Sequence, residues 1–122
     1  MDPVNENDWK TMPLPEQQEG LALNRTLSDE ESKYLLPGHR PRDMDDRWFI
    51  YIKDQWMYFH RSWTGVCIFK IRLILANGKY TLTEGFVNRD PEQFKSTSVE
   101  ADVDMLNRVI DIIVKIEQRE SR

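Results

Sequence analysis

The sequence predicts an α+β fold: a four-stranded antiparallel β-meander packed against a long C-terminal helix, with a short N-terminal helix. Three observations predict it. Residues 48–53 and 56–60 are dense in aromatic and β-branched side chains and flank Asp54-Gln55, which suits a tight hairpin. Residues 66–75 and 79–87 flank Asn77-Gly78, the strongest short hairpin signal a sequence offers. From Thr97 to about Arg119, apolar side chains recur at helical spacing.

The length of 122 residues suits one domain with a core of its own. We divide it into a loosely ordered N-terminal arm, residues 1–25, and a single α+β domain, residues 26–122. Pro3, Pro13, Pro15 and Gly20 prevent a long helix in the arm. Its few apolar residues, Trp9, Met12, Leu14, Leu21 and Leu23, would pin it across the domain.

Ser28-Asp29-Glu30-Glu31 has the form of a capping box, with the Ser28 hydroxyl and the Glu31 carboxylate each serving the other's amide. The short helix it opens should stop at Pro37-Gly38 and turn Leu27, Tyr34 and Leu35 to the core. A charged connector, residues 39–47, leads into the strands. With a two-residue turn at Asn77-Gly78, Leu75 opposes Tyr80, Leu73 opposes Leu82, Ile71 opposes Glu84 and Phe69 opposes Phe86. That register puts the Glu84 carboxylate on the apolar face, where it is costly unless partnered, so Glu84 is a candidate acid. A bulge at Gly85 would instead turn Glu84 to solvent. A second capping box, Thr97-Ser98-Val99-Glu100, starts the long helix. Its apolar arc is wider than one sheet face needs, so the arm or a second copy of the chain should cover the surplus around Met105, Val109, Ile112 and Ile116.

The net charge is −4, unevenly spread. Residues 1–46 hold five basic and eleven acidic side chains, residues 47–89 seven and two, and residues 90–122 five and eight. The sheet segment is therefore basic and its flanks acidic. Acidic helices neutralising a basic sheet would explain this; so would a basic face that attracts an anion. An acidic chain overall does not suggest a nucleic-acid binder, and no nucleic acid is expected as partner. Tyr51 and Tyr58 come nearest to the paired rings of RNA-binding sheets. The single Cys67 excludes an internal disulfide and sits in an apolar strand. No membrane span and no signal peptide are apparent, so a cytoplasmic location is expected. No cofactor motif is present and none is expected: the glycines are isolated, and no Cys pair or His-Glu-x-x-His helix would hold a metal. Asp43, Asp45 and Asp46 lack the order of a calcium loop.

Chemistry concentrates at His60-Arg61-Ser62-Trp63-Thr64-Gly65, where the second strand meets the third. A hairpin at Asp54-Gln55 sets Arg61 opposite Trp48 and His60 opposite Phe49, on different faces. Arg61 suits a carboxylate or phosphate, with Ser62 and Thr64 as added donors and Arg47 nearby. Trp63 offers a stacking plane. An architectural alternative pairs Arg61 with Asp45 or Asp46 and uses Trp63 to close the core. His60 and Ser62, two residues apart on extended chain, do not form a nucleophile–base pair.

The run Asp46-Arg47-Trp48-Phe49-Ile50-Tyr51, then Tyr58-Phe59-His60-Arg61-Ser62-Trp63-Thr64-Gly65 and Cys67-Ile68-Phe69, resembles a segment of a family of small bacterial proteins, a domain of unknown function sharing W-F-x-Y … H-R-S-W-T-G. The resemblance covers about a fifth of the chain. It implies a bacterial or phage cytoplasmic origin and a site around Arg61 to Gly65, in a setting where ADP-ribose-processing domains occur nearby.

Three readings follow. The first is a non-catalytic binding module for an anionic or nucleotide-like small molecule, held by Arg47, His60, Arg61, Ser62, Trp63 and Thr64. The second is an adaptor or immunity-type protein that binds a protein partner through its acidic N-terminal arm or the C-terminal helix, or itself as a homodimer through that helix. The third is an enzyme acting on a nucleotide or ADP-ribosyl group, with Glu84 or Asp46 as acid/base beside Arg61.

Overall fold

The computed structural model describes residues 3–121; Met1, Asp2 and Arg122 lie outside them. The elements run β1 (Gln18–Thr26), α1 (Asp29–Leu35), β2 (Trp48–Lys53), β3 (Trp56–Arg61), β4 (Cys67–Ala76), β5 (Lys79–Asn88) and α2 (Val99–Glu120), with a short 3-10 turn at Glu6–Asp8. The class is α+β, with one antiparallel sheet in the order β1-β5-β4-β3-β2. No helix among the described residues is long and apolar enough to cross a membrane.

The sheet has five strands, not four. The extra one, β1, lies in the segment expected to be loose and pairs along β5 from Gln18↔Asn88 to Thr26↔Thr81. It is an edge strand with a single fully buried side chain, Leu21, so its hydrophobic signature is faint. Gly20 and the nearby prolines exclude a helix, but an edge strand tolerates them.

Both hairpins turn with positive φ at their two central residues, Asp54 and Gln55 (54° and 70°) and Asn77 and Gly78 (54° and 76°). This geometry matches the twist of the flanking strands. The second hairpin keeps the expected register as far as Leu73↔Leu82. Beyond that the register is corrected: Thr83 and Glu84 together face Arg72, so Ile71 pairs with Gly85, Lys70 with Phe86 and Phe69 with Val87. Gly85 is what permits this, because a Cβ there would stand 1.9 Å from the Lys70 carbonyl oxygen. The bulge keeps Leu82 and Val87 inside and turns Glu84 out, where it is exposed. Glu84 is therefore not a buried acid.

Side chains of one sheet face, among them Ile50, Met57, Phe59, Phe69, Ile71 and Leu82, form the main core with Leu106, Ile110 and Ile113 of α2. Burying aliphatic and aromatic groups of this size stabilises the fold by roughly 1.5–3 kcal/mol each. The capping box at the start of α1 forms as expected: Glu31 N donates to Ser28 Oγ (3.1 Å) and Ser28 N to Glu31 Oε1 (2.9 Å). Arg25 of β1 reaches Glu31 of α1 and Asp111 of α2 (2.7 Å to Asp111 Oδ1), locking three elements together. The opposite sheet face carries Phe49, Tyr51 and Tyr58, and the N-terminal arm lies against it through Val4 and Trp9.

The connector after α1 protects the other edge of the sheet. His39 exchanges two backbone hydrogen bonds with Ile50 of β2 (2.9 and 3.0 Å). Its buried ring spans two carboxylates, Nδ1 on Glu117 Oε2 (2.5 Å) and Nε2 on the Asp46 oxygens (2.8 Å). The end of α2 is thereby tied to the connector.

Candidate functional site

β3 ends by delivering consecutive side chains to opposite faces. Arg61 pairs with Trp48 and His60 with Phe49, and each points with its partner. The loop that follows is built by its own backbone: Arg61 N donates to Val66 O (2.8 Å) and Gly65 N to Arg61 O (2.8 Å). Gly65 takes a φ of +80°, and a Cβ there would stand 3.0 Å from the Lys10 carbonyl oxygen, so glycine suits the position twice over.

Ser62 belongs to the architecture. It is buried, its amide donates to Arg47 O (2.9 Å) and its hydroxyl donates to Asp46 O (2.8 Å). These bonds staple the loop to the entry of β2. Trp9 Nε1 adds a bond from the arm to Ser62 O (2.7 Å). Trp63 does not close the core: its ring is 61% exposed, oriented by a bond from Nε1 to Met44 O (2.9 Å). Thr64 Oγ1 accepts from Val66 N (3.2 Å), leaving its hydroxyl proton for another acceptor.

Arg47, Arg61, Trp63 and Thr64 converge on one cavity of about 410 Å³, completed by Gln93. The guanidinium of Arg61 lies 4.6 Å from the Trp48 ring centre and has no carboxylate partner among the described residues. Pairing with Asp45 or Asp46 does not occur. Burial, and secondarily the neighbouring charge of Arg47, hold the Arg61 guanidinium below its ordinary pKa. Arginine stays charged through such a shift. Two like charges thus share a half-enclosed space lined by no acid, an arrangement an anion relieves.

Gln93 escaped sequence reasoning. It follows β5 in a loop anchored by the buried Asn88, whose Nδ2 donates to Cys67 O and to Gln93 Oε1 (both 2.8 Å), while Asn88 Oδ1 accepts from Asp90 N (2.8 Å). With Oε1 so engaged, the Gln93 amide nitrogen is left to donate. Only Asp90-Pro91 marks a loop in the sequence; nothing there points to its folding back over β3.

Of the other candidates, His60 lies on the opposite face, buried, with Nδ1 donating to Gly65 O (2.9 Å) and its ring stacked on Tyr51 (5.4 Å). Burial lowers its pKa, favouring the neutral ring. The Asp46 carboxylate is taken up by His39 and by the Arg42 amide (3.1 Å). Glu84 lines a separate groove with Trp56, Arg72 and Phe86. Neither acid lines the Arg61 cavity. Comparison with protein-family models, with curated proteins and with solved structures finds no match for this chain.

Proposed function

We propose that the protein is a non-catalytic binding module for a small anionic, nucleotide-like ligand. Arg61 and Arg47 supply the charge, Trp63 a stacking plane, and Thr64 and Gln93 directional donors. Ser62 and Gly65 shape the loop, and His60 takes no part on this face. The single observation that carries the reading is the convergence of two arginines on a cavity that no carboxylate lines. A guanidinium fork matches phosphate or carboxylate oxygens bidentately. Fixed on Trp48, the Arg61 fork loses less freedom on binding than a mobile side chain would.

The enzyme reading needs a carboxylate beside Arg61, and both candidates, Asp46 and Glu84, are engaged or placed elsewhere. The adaptor reading needs either the acidic N-terminal arm, which packs on the sheet through Val4 and Trp9, or the surplus apolar surface of α2. Of the four residues it would use, Val109 is buried, Met105 and Ile116 are half-buried, and Ile112 alone stands out.

A thermal-shift screen against nucleoside phosphates, ADP-ribose, sugar phosphates and simple anions tests this. Ligand at 100 times its dissociation constant stabilises a fold by about 2.7 kcal/mol. The shift should be present in the native chain and absent in a folded Arg61→Lys variant. A shift that survives in Arg61→Lys and Arg47→Gln alike would remove the proposal.

A further inference from the structure

The sheet face turned away from the helices carries a second cavity, about 590 Å³, between the sheet and the N-terminal arm. A volume of this size suits a small organic ligand. Its sheet side presents Tyr51, Tyr58, His60 and Lys70, residues 11–14 of the arm form its cover, and two carboxylates also line it, Glu6, paired with Lys53 (2.6 Å), and Asp54.

Three features define what it would hold. The first is His60. Its Nδ1 faces the carbonyl oxygen of Gly65, which only accepts, so Nδ1 carries the proton. In the neutral ring, Nε2 is then a lone-pair acceptor. It is buried and meets no hydrogen-bond partner among the described residues. An unpaired buried acceptor disfavours the fold until a donor meets it. The second is Lys70, whose ammonium sits 4.7 Å from the Trp56 ring centre and 5.5 Å from that of Tyr58, with no carboxylate partner among the described residues. The third is a run of near-parallel rings: Tyr51 on Tyr58 at 4.8 Å and 16°, and Tyr51 on His60 at 5.4 Å and 17°.

We infer that this cavity binds a small planar aromatic acid bearing a hydroxyl or N–H group. The ligand's carboxylate meets Lys70, its O–H or N–H donates to His60 Nε2, and its ring lies along Tyr51 and Tyr58. A carboxylate placed instead at His60 would face a lone pair and be repelled, so the two polar ends fix the ligand's direction. The site is distinct from the Arg61 cavity, because adjacent residues of β3 point to opposite faces. The cover and the acceptor are linked through one atom: Gly65 O accepts both His60 Nδ1 (2.9 Å) and the Met12 amide of the arm (2.8 Å). Seating the arm and holding the His60 tautomer thus share a carbonyl, and the Thr11–Leu14 stretch walls the cavity beside it.

Titration with three probes, read by the His60 ring nitrogens and by backbone amides in NMR, tests the inference. 4-Hydroxyphenylacetate has both polar ends, 4-methoxyphenylacetate lacks the donor, and 4-hydroxyphenylethanol lacks the charge. The first should bind and shift the His60 Nε2 resonance, and the other two should bind about tenfold more weakly or worse, the cost of leaving a buried polar group unpaired. Lys70→Gln, at a half-exposed position that leaves the core intact, should erase the preference for the acid over the alcohol. Arg61→Lys should leave it unchanged. His60→Phe should lose the preference for hydroxyl over methoxyl, and Lys70→Gln decides the matter should that variant fail to fold. Equal binding of the three probes, a His60 resonance unmoved by all of them, or perturbations confined to the Arg61 loop would each overturn the inference.

Discussion

The guanidinium of Arg61 lies 4.6 Å from the ring centre of Trp48, its cross-strand partner, where sequence logic would have supplied a carboxylate. An aromatic face orients the cation without neutralising it. That relationship fixes the charge at the mouth of the cavity and leaves it available. Arg61→Ala should therefore cost about 1–2 kcal/mol of stability through lost packing on Trp48, measured by urea unfolding. A loss much larger than that would make Arg61 primarily a structural residue.

Gly85 should be the least replaceable glycine of the sheet. A methyl group there meets the Lys70 carbonyl oxygen at 1.9 Å and the Ile71 Cα at 2.9 Å, both backbone atoms of β4 that cannot step aside. Gly85→Ala should destabilise by about 3 kcal/mol or more, the upper end of overpacking costs. Denaturant melts check this, and a near-neutral result would mean the Thr83–Glu84 bulge is not obligatory.

Asn88→Ala should act on stability and site together. It strips three hydrogen bonds from a buried position and frees Gln93, which costs about 1–3 kcal/mol for the groups left unpaired. The same variant should weaken anion binding at the Arg61 cavity although Asn88 does not line it. Calorimetry and urea melts on one sample distinguish the two effects.

The lowered pKa of His60 has a pH signature. Between its folded value and the ordinary one near 6.5, the unfolded chain holds the extra proton, so stability rises with pH. The contribution is complete above about pH 6.5 and is lost as pH falls toward the folded value. A His60→Phe chain should show a shallower loss of stability below that pH than the native chain. Parallel slopes in denaturant melts across that range would contradict the buried neutral imidazole.

Cys67 should be inert. Burial pushes its thiol up to about 12, and the nearby charge of Lys70 offsets only part of that. Thiolate, not thiol, reacts with disulfide reagents. Ellman's reagent at pH 8 should therefore label the chain only when it unfolds, at the unfolding rate. Fast labelling of the native chain would place Cys67 at the surface.

Much of this fold was legible. The strands from Trp48 to the end of β5 carry their hairpins in Asp54-Gln55 and Asn77-Gly78, and the Ser28 capping box starts α1 as expected; at α2 the expected box from Thr97 to Glu100 gives way to Ser98, whose hydroxyl accepts from Ala101 N (3.2 Å). What stayed hidden was decided by tertiary partners. Leu21, with the half-buried Leu23, carries the burial of β1, and its pairing is specified by β5 instead of by its own composition. For Glu84 the unbroken register fails and the alternative, a bulge beside Gly85, holds; the close approach of Gly85 to the Lys70 carbonyl sets it. At the site, Arg47, Arg61, Trp63 and Thr64 fall together because three sit in one loop and Arg47 is stapled to that loop by Ser62. Gln93 arrives from a loop whose path depends on Asn88, a long-range bond that leaves no local pattern. His39 falls in the charged connector, and only the folded chain brings Asp46 and Glu117 to its two ring nitrogens.

The most direct test of the central claim is a calorimetric titration of ADP and of adenosine into the native chain, Arg61→Lys, Arg47→Gln and Trp63→Ala. ADP should bind and adenosine far more weakly. Either arginine variant should remove most of the ADP affinity with the fold retained, and Trp63→Ala should weaken both compounds by a common factor. ADP and adenosine binding alike, or no binding of ADP and pyrophosphate at any accessible concentration, would contradict an anion site between Arg47 and Arg61.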